Sequence, residues 1–155
     1  MTDNFVKTVS DYLKAEREKR NLDTQKSVID ENIRKSNAPH KWSQLRTWVK
    51  EFCEKANLEM GEKSFRIDDT TNNMLHIYLE RPGTERSFLG AEFDQVGNVI
   101  RFQSNNERGI FQPGVVDGRF TFLNGREPVS VEQMGKTLIG LLMGWRGRFL
   151  EANLS

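Results

Sequence analysis

The chain has 155 residues, enough for one domain with a single hydrophobic core, or for a small domain carrying a helical extension. Its one Cys excludes an internal disulfide and a multi-Cys zinc site. A formal charge of +1 leaves no Lys and Arg excess for holding a polyanion, which argues against nucleic acid as a partner.

Only 36% of the residues are apolar, so ten Phe, three Trp and two Tyr must supply much of the core. The N-terminus lacks the apolar run of a signal peptide and is too acidic for a transit peptide. The longest apolar stretch, Leu138 to Trp145, falls far short of the ~20 residues a membrane span needs. A cytoplasmic location, with the single thiol reduced, is the expectation.

Residues 3–20 read as a helix, with Phe5, Val9, Tyr12 and Leu13 at helical spacing and Thr2 or Asp3 as cap. Beyond Leu13 its surface is charged, the pattern of a solvated face with i,i+4 pairs. A second helical stretch, about 24–36, offers only Val28, Ile29 and Ile33 for burial and is free to continue the first as one arm. Ser36-Asn37-Ala38-Pro39 predicts a break, with Pro39 in the first turn of the next helix. There Trp42, Leu45, Trp48, Val49, Phe52, Cys53 and Ala56 form one stripe about 140° wide, a core face that Gly61 terminates. The chain thus divides into a helical arm or extension, 1–36, and a single α+β domain, 37–155.

From residue 64 the period changes to two. Ser64–Asp68 is a short strand; Met74–Glu80, Arg86–Asp94 and Asn98–Ser104 are clearer, and turn sequences separate them. Gly109–Gln112 and Arg119–Leu123 are weaker, around Pro113-Gly114 and Asp117-Gly118. Short connections predict an antiparallel β-meander of four to five strands. Ser130-Val131-Glu132-Gln133 is a capping box, with Val129 and Met134 as hydrophobic staple. It opens a long C-terminal helix, about 131–150, striped by Val131, Met134, Leu138, Leu141, Leu142, Trp145 and Phe149 and packed on one sheet face. Segregated elements make the fold α+β.

Most motifs with chemical associations are incomplete. Gly135-Lys136-Thr137 ends like a phosphate loop, but position 130 is Ser rather than Gly and the helix has already begun. Asp69, Thr71, Asn73 and Glu80 have calcium-loop spacing, yet Met74 stands where the turn glycine belongs. Cys53 sits on an aromatic stripe and reads as a buried, inert thiol. Neither His40 nor His76 has a second metal ligand at a standard spacing. No catalytic residue, metal or cofactor is assigned, and enzymatic activity is disfavoured.

Two features remain. Parity places Leu75, Ile77, Leu79, Leu89, Ala91, Phe93, Ile100 and Phe102 on the core face. The opposite face then carries His76, Tyr78, Phe88, Glu92, Arg101 and Arg119, with Tyr78 across from Phe88 and Glu92 across from Arg101. Rings and Arg forks together suit a small anionic or aromatic ligand. The other feature is Gly140, Gly144 and Gly147, within about 60° of one another on the last helix. Each Gly costs roughly 0.5–1 kcal/mol against Ala, which points to close backbone approach, with Met143 beside them, by this chain or a partner, or else to an earlier end of the helix. The leading expectation is a non-catalytic binding or protein-interaction module, self-association as a homodimer included. The alternative is a small-molecule site on the second sheet face, with or without a reaction.

Overall fold

The computed structural model describes residues 2–145. Helix α1 (Thr2–Met60) is followed by strands β1 (Phe65–Asp68), β2 (Met74–Leu79), β3 (Ser87–Asp94), β4 (Val99–Ser104), β5 (Arg108–Val116), β6 (Arg119–Asn124) and β7 (Glu127–Val129), then helix α2 (Val131–Met143). The strands form one seven-stranded antiparallel meander in sequence order. Both helices lie on one face, where Trp42, Leu45, Val49 and Cys53 of α1 join Met134, Leu138 and Leu142 of α2 in a core with the alternate strand residues.

The break expected at Ser36–Pro39 does not occur; α1 is continuous with Pro39 inside it. Pro39 has no N–H for the Lys35 carbonyl, which ordinarily costs about 3 kcal/mol in a helix interior. Burial holds the segment helical all the same. Ala38 is fully buried, and Trp42, one turn on, is buried with its Nε1 donating to the Asn72 carbonyl at 2.7 Å. The Asn37 side chain also donates to the Ile33 carbonyl at 2.7 Å, one turn back along the helix. N-terminal to this anchor α1 projects into solvent: nearly every residue from Asp3 to Asn32 is exposed.

Seven strands, not four to five, make the sheet. Pro113-Gly114, expected as a turn, lies within β5. Pairing with β4 stops at Phe111, so Pro113 has a neighbouring strand on one side only, opposite Phe122, and its missing N–H leaves no gap in a ladder. Asp117-Gly118 does form the expected hairpin turn, both with positive φ (52° and 73°). Strand β7 is three residues long, too short for an alternating pattern to show.

The C-terminal helix begins as expected. Ser130 Oγ accepts from the Gln133 amide at 3.1 Å, and Gln133 Oε1 accepts from the Ser130 amide at 2.8 Å. It ends sooner: α2 has 13 residues, and Gly144 closes it in the left-handed conformation at φ 76°. Trp145, expected on the core stripe, therefore lies beyond the helix and is 43% exposed. Phe149, the last residue of that stripe, lies outside the described residues.

Candidate functional site

The sheet face turned away from the helices is open. Parity and turn length fix its registers: Tyr78 lies opposite Phe88, His76 opposite Gly90, and Glu92 opposite Arg101. The pairing brings five of the six expected side chains, His76, Tyr78, Phe88, Glu92 and Arg101, onto three neighbouring strands. Arg119 does not join them. It opens β6 opposite Val116, six residues along β5 from Ile110, the residue across from Arg101. At roughly 3.3 Å per residue that is about 20 Å of strand.

Gly90 shapes the site. A Cβ there would stand 2.9 Å from Phe88 Cζ and 3.4 Å from His76 Cδ2, so both rings lean into the space a side chain would fill. Phe88 contacts His76 edge-on (centroids 5.5 Å, 72°) and Tyr78 at a tilt (5.4 Å, 43°). Arg86 places its guanidinium carbon 5.3 Å from the Tyr78 ring centre. Next to this aromatic ridge lies a concavity of about 530 Å³, bounded on its far side by Arg101, Gln103, Arg108 and Ile110. Gln103 shares the outward parity of Arg101 on β4, whereas Arg108 and Ile110 come from β5, whose pairing with β4 the sequence pattern does not assign. Gly90 itself, a glycine between Leu89 and Ala91 in a strand, was the available signal for close approach.

The electrostatics differ from the expected cross-strand pair. Arg101 Nη1 donates to Asp94 Oδ2 at 2.8 Å, and not to Glu92 directly opposite. Asp94 opens the β3–β4 turn, where it also accepts from the backbone amides of Val96 (2.9 Å) and Gly97 (3.4 Å). The hydrogen bond from Arg101, then the Val96 amide, hold its carboxyl below the usual range. The turn amides pre-position Asp94 as the better acceptor. Arg101, the obvious anchor for an anion, is thus already engaged.

The glycine row takes a different form from an exposed helical patch. Gly140 is buried within α2, Met143 is half-buried against the core, and Gly144 is the exposed cap with open space where its Cβ would be. Gly147 lies outside the described residues. The close approach on α2 is at Gly135, where a Cβ would run into the Trp48 side-chain ring of α1.

Cys53 is buried, and burial, with Glu54 adding to it, pushes its thiol up to about 12. Among the described residues no group of three or more His, Cys, Asp or Glu side chains is placed to hold a metal, and no helix is long and apolar enough to cross a membrane.

The most conspicuous surface is on neither the sheet nor α2. Along the projecting half of α1, Phe5 is 71%, Tyr12 68%, Leu22 65% and Ile29 57% exposed. Comparison of the chain with protein-family models, with curated proteins and with solved structures finds no match.

Proposed function

We propose that this protein is a non-catalytic interaction module: an α+β body that presents a helical arm, residues 2–36, to a protein partner. The observation that carries the reading is the set of large apolar side chains exposed along the arm. Burying one Leu, Ile or Phe side chain is worth about 1.5–3 kcal/mol, and an isolated helix gains little from its own hydrogen bonds. The arm's eight basic and seven acidic residues (over 2–36) suit a protein surface of mixed charge better than a polyanion. A photo-crosslinking amino acid in place of Tyr12, in the full chain in cells, tests the reading. A discrete cross-linked species is expected, absent when the probe replaces the isolated, exposed Val96. No species dependent on the arm position would overturn it.

The concavity beside Gly90 favours a second reading, a small ring-bearing ligand stacked on His76 and Phe88. In a thermal-shift screen of metabolites, a compound using this face loses its stabilising effect in His76→Ala. An equal shift in both proteins places the ligand elsewhere.

A further inference from the structure

Resting on the interaction-module reading, we infer that the partner of the arm is a second copy of this chain, with the two arms antiparallel. One 3.5-residue seam along the exposed part of α1 collects Phe5, Tyr12, Leu22, Ile29 and the half-buried Ile33. Phe5, Tyr12, Lys19, Lys26 and Ile33 recur every seven residues, and so do Thr8, Ala15, Leu22 and Ile29 three positions on. These two rows are adjacent on the helix and make one seam.

Parallel pairing stacks Lys19 on Lys19 and Lys26 on Lys26. It also sets the flanking Asp11 against the partner's Glu16, and Glu18 against the partner's Asp23. Antiparallel pairing in which facing residue numbers sum to 34 relieves these clashes and leaves one like-charge contact, Glu16 against the partner's Glu18 beside the two-fold axis. Phe5 then faces the partner's Ile29, and Tyr12 the partner's Leu22, each twice by symmetry. Lys19 faces the partner's Ala15 and Lys26 the partner's Thr8, small residues over which a lysine stem can lie. The Lys19 ammonium comes next to the partner's Glu16 across the two-fold axis. Among the described residues neither Lys19 nor Lys26 has an ion-pair partner, and Glu16, which holds Arg20 at 2.9 Å, would be shared.

In this register the two bodies lie at opposite ends of the paired arms, about 45 Å apart. Seven-residue shifts in either direction break the match. A sum of 27 puts Tyr12 against Ala15, and a sum of 41 puts Leu22 against Lys19.

Sedimentation velocity on the full chain tests association. The expected result is a concentration-dependent species of twice the 18.0 kDa chain mass. Tyr12→Asp with Leu22→Asp, both at exposed positions, should weaken it about thirty-fold or more. A monomer up to ~0.5 mM, well beyond a micromolar association, overturns the inference, and so does a dimer the double variant leaves intact. Oxidative cross-linking tests the register, because the native Cys53 is buried. A mixture of Thr8→Cys and Lys26→Cys chains should give the mixed disulfide dimer and neither homodimer; homodimers in the separate variants would show parallel arms and overturn the inference. Photo-crosslinking from Tyr12 separates the two levels. A cross-link to a different protein, with the chain monomeric, overturns self-association and leaves the interaction module standing. A monomer with no arm cross-link overturns both.

Discussion

Two glycines at the helix pair show how differently one residue type can act. Gly135 is needed for space: its absent side chain admits the Trp48 ring, which stacks on Phe52 at 5.7 Å. Gly135→Ala should destabilise the protein by about 1–3 kcal/mol, the usual range for overpacking. Gly144 is needed for its backbone, at φ 76° in open surroundings. Gly144→Ala should cost about 1 kcal/mol through left-handed strain alone. Denaturant titration compares the two, and a Gly135→Ala midpoint equal to wild type would show that the α1–α2 contact is loose. Two carboxylates set the response to acid. Asp69 is held below its ordinary value by a 2.7 Å contact from Lys50, and Asp94 by Arg101. Each binds its proton more weakly folded than unfolded. The stability they confer is complete above the unfolded pKa, about 3.9, and is lost as pH falls through the lower folded value. Denaturation midpoints measured from pH 6 to pH 3 should fall less steeply below pH 4 in Asp69→Asn with Asp94→Asn than in wild type. Equal slopes would mean that other carboxyls govern acid unfolding.

At the scale of elements, the edges of the meander are closed by α1 and by strand length. The outward N–H and C=O of Phe65 in β1 are both taken by the Asn57 side chain, each at 2.9 Å, and Arg46 donates to the Asp69 carbonyl at 3.1 Å. At the other edge β7 is short and carries Pro128. Asn57→Ala would leave two backbone groups of Phe65 without their partner, at about 1–3 kcal/mol, and would expose a strand edge. Reduced stability with faster aggregation is expected, followed by light scattering; unchanged behaviour would show that water replaces the amide at no cost. None of this edge protection could be read in advance, because a lone Asn on a helix carries no periodicity. The central strands could. Their alternation sets the faces, and one register brings Leu75, Ile77, Leu79, Leu89, Ala91, Phe93, Ile100 and Phe102 inward together. Local signals misled where tertiary contacts decide. Pro39 breaks helices unless the next turn is anchored, and Pro113 ends strands unless one neighbour is missing. The Asp94–Arg101 pair was hidden for the same reason: parity identifies the residue across, not the turn amides that orient a diagonal one.

For the whole molecule the question is how a 35-residue arm, residues 2–36, stays helical beyond its body. Isolated helices are marginal in water, since nucleation is unfavourable and each further residue adds little. The body supplies the nucleus: Leu45 and Val49 are fully buried, and the helix propagates from them toward the N-terminus. Pro39 stands between that nucleus and the arm, and it interrupts the ladder at the Lys35 carbonyl. Pro39→Ala supplies the missing donor and removes the ring's steric conflict, about 3 kcal/mol in a helix interior. Greater freedom of the unfolded chain opposes this by about 0.4–1 kcal/mol, leaving roughly 2 kcal/mol of stabilisation. The gain should concentrate near the junction. Amide hydrogen exchange in Pro39→Ala should slow by about tenfold or more over residues 30–38, the protection falling off toward Phe5 as fraying takes over. The measurement is made on the dilute chain, so that arm pairing does not contribute. Equal exchange in the two proteins would show that the arm's helicity does not depend on propagation through residue 39. Its stability would then have to arise within the arm, from pairs such as Glu16–Arg20 at 2.9 Å, each worth only about 0.3–0.5 kcal/mol.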